Sequence, residues 1–136
     1  MSLVKHQVKQ LPRLNVLLVD DDRTTRELSA AAIEDMGFKV TQAQDGKQGL
    51  EISQNEKFDV IFMDLEMPEM DGFEASREIR KGGKSANSCI VALSGNIEGR
   101  DVVNKCLSQG MNDCLAKPLN KEILTGRIDL WEKIKS

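Results

Sequence analysis

The 136-residue chain contains no tyrosine, one tryptophan, one histidine and only three cysteines. Cys89, Cys106 and Cys114 are odd in number and not closely spaced. That pattern excludes a disulfide framework and a cysteine-based zinc site. The three read as buried, reduced thiols serving as small apolar side chains, which suits the cytoplasm. No apolar run approaches the ~18 residues of a membrane span. The first residues lack the apolar core of a secretory leader. There is no excess of basic charge: the net charge is -3, which argues against a general nucleic-acid or membrane binder. The lone His6 sits among Lys5, Lys9 and Arg13 and reads as a solvated residue, not a ligand or phosphate donor. No G-x-G-x-x-G follows the first apolar run, so dinucleotide binding has no support. Internal repeats and low-complexity segments are missing as well.

What remains suits one soluble domain, with 40% hydrophobic and 30% charged residues. Residues 1–13 read as a lead-in, with Met1-Ser2-Leu3 set aside as an expression remnant, and 14–134 as the domain. Four short apolar runs dominate it. Val60-Ile61-Phe62-Met63 runs into Asp64, and Val16-Leu17-Leu18-Val19 into Asp20-Asp21-Asp22. Ile90-Val91-Ala92-Leu93 ends on Ser94, and Cys114-Leu115-Ala116 on Lys117-Pro118. Runs this short and apolar are strands buried on both faces of a parallel sheet.

Helical patterns lie between the strands. The first, over about 23–36, carries Leu28, Ala32 and Met36 at helical spacing, with Ile33 widening the stripe and Gly37 placed to end it. A weaker strand over about 38–43 reads as an edge. Gly49 in the next helix allows close approach to the sheet. Phe73, Ser76 and Ile79 mark the inner face of the third helix. The fourth carries Val102, Val103, Cys106 and Leu107, and the last Leu124, Ile128 and Trp131. Strand and helix alternate five times, which is a doubly wound α/β domain with a five-stranded parallel sheet.

Sites in such sheets form at the carboxyl ends of the strands. There the sequence puts Asp20, Asp21, Asp64, Ser94 and Lys117. Two carboxylates 4 Å apart repel by ~4 kcal/mol at an effective dielectric of 20. Such a cluster shifts its own pKa values or collects a cation. Oxygen ligands select a hard ion such as Mg²⁺. One of the three consecutive aspartates, Asp22 by position, caps the following helix, but capping does not account for the rest. A carboxylate can also attack phosphorus and hold the phosphoryl group as an acyl phosphate. Lys117 and Ser94 would then share its charge and bind its oxygens.

Leu17-Leu18-Val19-Asp20-Asp21, the long stretch from Met63 through Asp64 and Pro68 to Gly72, Ala92-Leu93-Ser94, and Lys117-Pro118 follow one another in an order that resembles the receiver domains of two-component response regulators. The resemblance covers about 15–133. It implies a flavodoxin-like sheet of order 2-1-3-4-5. It implies Asp64 as acceptor of a phosphoryl group from phosphohistidine, with Asp21, Asp64 and the backbone carbonyl of Glu66 as Mg²⁺ ligands and Asp20 supporting the ion through water. It implies Ser94 and Lys117 as phosphoryl-binding residues and a cis bond before Pro118. The partners implied are a histidine kinase or histidine phosphotransfer protein. The isolated domain is then no enzyme beyond promoting its own phosphorylation and dephosphorylation, and a hybrid histidine kinase is the favoured parent. The family often has Tyr or Phe three residues before the lysine, where this chain has Cys114. A thiol is too small for that two-position lever, so no strong aromatic-coupled change is expected on the face of the fourth helix, fifth strand and fifth helix.

Two other readings stand beside this one. A receiver-like interaction module would share the fold and accept no phosphate. A Mg²⁺ phosphohydrolase with an aspartyl intermediate would usually need an aspartate where this chain has Glu66. Glu66 and Asn96 flank the expected path of attacking water.

Overall fold

The computed structural model describes residues 14–95 and 100–135. The lead-in with His6, and Asn96 with the loop to Gly99, lie outside the described residues. Among the described residues ten elements alternate: β1 (Asn15–Val19), α1 (Arg23–Asp35), β2 (Lys39–Ala43), α2 (Gly46–Asn55), β3 (Val60–Asp64), α3 (Gly72–Arg80), β4 (Cys89–Ser94), α4 (Arg100–Ser108), β5 (Asp113–Ala116) and α5 (Lys121–Lys135). The five strands form one parallel sheet in the order β2-β1-β3-β4-β5. This is the order that the resemblance implied.

Side chains of a strand alternate between faces, so each buried run feeds two cores. Val16, Leu18, Val60, Phe62, Val91, Leu93 and Leu115 pack with α1 and α5 on one face. Leu17, Val19, Ile61, Met63, Ile90, Ala92 and Cys114 pack with α2, α3 and α4 on the other. Trp131 of α5 meets Phe62 edge-on, with ring centroids 5.4 Å apart. Ideal geometry would put a Cβ on Gly49 only 2.6 Å from Val19, so the glycine does set how closely α2 lies on β1.

Two helices differ from the expectation. Leu28, read as part of the inner stripe of α1, is 56% exposed. The buried residues there are Ser29, Ala30 and Ile33, with Ala32 and Met36 partly covered. The reason is chemical: the Ser29 hydroxyl accepts the Leu119 N–H at 3.0 Å, so a polar residue has a reason to face inwards. Among the described side chains of α4, Cys106 is the one fully buried, Val102 is partly covered, and Val103 and Leu107 face outwards.

Each of the first three helices starts on an aspartate. Asp22 accepts the Thr25 N–H, Asp45 the Gln48 N–H and Asp71 the Glu74 N–H. An N-cap of this kind satisfies one of the orphaned amides of the first turn. The caps start α1, α2 and α3 just past the carboxyl ends of β1, β2 and β3. Loop residues and helix starts therefore crowd one end of the sheet.

Candidate functional site

That end holds the acidic cluster. The β1–β3 register sets Val19 beside Met63, so the residues that follow each, Asp20 and Asp64, leave adjacent strands together. Both are fully buried, whereas Asp21 is exposed. One carboxylate oxygen from each of Asp20, Asp21 and Asp64 lies within 4.8 Å of the others.

Lys117 reaches the cluster from the end of β5. Its N–H donates to the Ser94 carbonyl at 3.1 Å, and the Lys117–Pro118 bond is cis. The ammonium lies 3.1 Å from Asp64 Oδ2 and 3.8 Å from Asp20 Oδ1. Other groups hold the carboxylates still. The Asp22 N–H donates to Asp20 Oδ1 at 2.9 Å, and the Glu66 N–H to Asp64 Oδ1 at 3.1 Å. Asp20 Oδ2 is buried and has no hydrogen-bond partner among the described residues, and the buried Asp64 Oδ2 faces the Lys117 ammonium. A buried acceptor without a partner is uncommon and marks where a further positive group fits.

The electrostatics agree. One ammonium faces three carboxylates. Burial, first of all, raises the Asp64 carboxyl above its ordinary range; the Glu66 amide and Lys117 pull it back, and Asp20 pushes it up again. Asp21 is raised by burial and then by Asp64 beside it. Burial alone would lower Lys117, but its bond to Asp64 and the charges of Asp64, Asp20 and Glu66 outweigh this and raise it. The cluster therefore has more negative charge than its one lysine neutralises. Its donor set is all oxygen, with a rigid buried side and an open side at Asp21, which suits a hard divalent cation.

Ser94 ends β4, paired with Ala116 of β5. Its hydroxyl donates to Glu66 Oε1 at 2.9 Å. Glu66 thus has two jobs, one through its amide on Asp64 and one through its side chain on Ser94. The sequence points to its carbonyl and to its place beside the path of attacking water, but not to its side chain's bond with Ser94. Sequence reasoning also missed Arg26, whose Nη1 donates to the Asp20 carbonyl at 2.9 Å. Arg26 lies one helical turn beyond the Asp22 cap, and that spacing was the available signal. Glu69, past Pro68, takes a left-handed backbone with φ 67, which nothing in its chemistry announces.

Comparison with known proteins gives the same picture. The family model described as response regulator receiver domain matches residues 16–129. A Vibrio cholerae CAI-1 autoinducer sensor kinase/phosphatase is 32% identical over 117 residues, which is 85% of this chain but 17% of that protein. The chain thus spans only a small part of such relatives. The receiver domain of a Pseudomonas aeruginosa sensor histidine kinase, solved with a magnesium ion in its active-site cleft, is 33% identical with a TM-score of 0.78, over 92% of this chain and 100% of that one. A Saccharomyces cerevisiae receiver domain, co-crystallised with the histidine phosphotransfer signalling protein upstream of it, is 28% identical with a TM-score of 0.81, over 93% of this chain and 94% of that one. Sheet order, strand-end chemistry and family match converge: the chain belongs to the response regulator receiver domains.

Proposed function

We propose that this domain, over 14–134, accepts a phosphoryl group from a phosphohistidine onto Asp64. The observation that carries the reading is Asp64 itself: a buried carboxylate at the end of β3 with one oxygen 3.1 Å from the Lys117 ammonium. An Asp64 oxygen attacks phosphorus, and the new O–P bond forms as the N–P bond to histidine breaks. The electron pair of that bond returns to the imidazole nitrogen. Lys117 shares the charge of the transferred group, and the Ser94 hydroxyl donates to one of its oxygens. Asp20, Asp21, Asp64 and the Glu66 carbonyl are the residues suited to hold Mg²⁺. When bound, the ion neutralises charge on the phosphoryl oxygens.

The donor is a histidine kinase or a histidine phosphotransfer protein. The domain turns over no substrate of its own; it only promotes its own phosphorylation and dephosphorylation. A hybrid histidine kinase is the favoured parent, in keeping with the sensor-kinase relative. The cytoplasm suits the three buried free thiols. Among the described residues no helix is long and apolar enough to cross a membrane.

The test is incubation with acetyl phosphate and Mg²⁺. A hydroxylamine-labile phosphate that Asp64→Asn abolishes is the expected result. No label from acetyl phosphate or from any histidine-phosphorylated donor would leave the inert interaction module as the better reading.

A further inference from the structure

Glu66 stands at the junction between the acidic cluster and a cleft of about 370 Å³ between α3 and α4. Phe73 of α3 and Val102 and Lys105 of α4 wall that cleft, and Glu66 and Ser94 close its inner end. The Lys105 ammonium lies over the Phe73 ring, 4.5 Å from its centroid. Asp101, one helical turn before Lys105, also faces the cleft. Glu66 and Lys105 are both exposed, so neither is locked in place by packing.

The Ser94 hydroxyl has a single hydrogen to donate. In the structure that hydrogen goes to Glu66 Oε1, at 2.9 Å. A phosphoryl group on Asp64 requires the same hydrogen, so two anionic acceptors compete for one donor. The phosphoryl group also adds negative charge beside a glutamate whose amide already touches Asp64. Like charges this close disfavour each other. A displaced Glu66 carboxylate then has a cation in its own cleft, Lys105, which rests on a ring face.

We propose that Glu66 is a positioning residue that exchanges partners: it holds the Ser94 hydroxyl in the resting domain, yields it to the phosphoryl group, and turns to Lys105, drawing that ammonium off the Phe73 ring. The inference rests on Asp64 being the phosphoacceptor. It places the readout of phosphorylation in the α3–α4 cleft. Cys114, buried on the sheet face beneath α4, supplies no aromatic lever there.

The test uses the whole chain, labelled with ¹³C at phenylalanine and lysine and with ¹⁵N at its amides. Nuclear magnetic resonance follows Mg²⁺ plus beryllofluoride, a stable mimic of an acyl phosphate. In the unaltered chain the Phe73 ring and Lys105 Cε signals should move in step with saturation. Glu66→Ala should bind the mimic about tenfold more tightly, the worth of one charge-assisted hydrogen bond no longer in competition. In that variant the Phe73 and Lys105 signals should no longer follow binding. Glu66→Gln keeps an acceptor for Ser94 but lacks the charge, so it too should bind without moving Lys105. Saturable binding that leaves Phe73 unmoved in the unaltered chain, or moves it equally in Glu66→Ala, overturns the proposal. Failure of the phosphoacceptor reading looks different: the Glu66 amide, bonded to Asp64, would show no saturable change in any variant, and this inference would fall with it.

Discussion

Asp64 and Asp21 are raised carboxyls, burial being the leading cause in each, and the direction has a consequence. A carboxyl raised in the fold binds its proton more readily folded than unfolded. Its contribution to stability is present at low pH and lost as pH rises through the folded value. With Mg²⁺ removed by a chelator, both ionised groups therefore work against the fold at neutral pH. Asp64→Asn should then melt higher than the unaltered chain at pH 7, by about 2–5 °C. The gap should narrow as pH falls towards the ordinary carboxyl value of 3.8. Thermal melts across that range check it, and equal melting temperatures at pH 7 would count against it. The exposed Asp22 goes the other way, because Thr25 lowers it. Its stabilising effect is lost only as pH falls below 3.8, so the two windows do not overlap. Lys117, raised by its carboxylate partners, stays charged and favourable throughout.

At the scale of elements, the contact between the end of β3 and the start of α3 places Asp64. A Cβ on Gly72 would stand 2.2 Å from the Asp64 carbonyl oxygen and 2.9 Å from Leu65 Cα. These are backbone atoms with nowhere to go. Alanine is the better helix former by ~1 kcal/mol, but overpacking against backbone costs ~1–3 kcal/mol or more. Gly72→Ala should therefore destabilise the domain and slow its labelling by acetyl phosphate, since β3 or α3 must shift. Gly126 in α5 has nothing within 4 Å of its would-be Cβ. Gly126→Ala should stabilise by ~0.5–1 kcal/mol and leave labelling alone. Denaturant melts and labelling rates on the two variants separate packing from propensity. The outer ends of these elements are tied more simply. The Arg80 guanidinium, half-buried, donates to the carbonyls of Ala86, Ser88 and Gly110 and to Asn112 Oδ1, fastening α3 to the segments before β4 and β5.

The molecule as a whole couples the cluster to global stability. A ligand that binds only the folded state stabilises it by RT ln(1 + [L]/Kd), ~2.7 kcal/mol at a hundredfold excess. Mg²⁺ at that excess should raise the melting temperature by roughly 10 °C in a domain of this size. Asp21→Ala should lose most of that response, as it removes one of the three clustered carboxylates without opening the core. A melt indifferent to Mg²⁺ would deny the cation site. The core itself makes a second prediction. Burial pushes the Cys89 and Cys106 thiols up to about 12 and raises Cys114 as well. The thiolate is the reactive form. At pH 7 the folded domain should resist a thiol reagent, and all three cysteines should react together once guanidinium unfolds it.

Local chemistry made much of this legible beforehand. A run of three or four apolar residues ending on a charged or hydroxyl side chain reads as a buried parallel strand with a functional end, and β1, β3, β4 and β5 all obey it. Asp22 as cap, Gly37 at φ 84 and Gly49 against Val19 follow from the same short-range rules. Sheet order did not come from the runs themselves, which are nearly interchangeable, but from the family pattern of the residues that follow them. The misreadings share a cause. Leu28 fits a helical stripe as well as Ser29 does not, yet a Leu119 amide 90 residues away decides which of them is buried. Ser94 and Glu66 are 28 positions apart, and no spacing rule links them. The amino-acid order by itself determined which segments become strands and helices and which chemical groups cap them, because those depend on neighbours along the chain. Only the folded sheet decided which carboxylate meets the lysine, which amide holds it and which glutamate takes the serine's hydrogen. The lysine and serine contacts join residues far apart in the chain, and their distances are set by packing rather than by sequence separation.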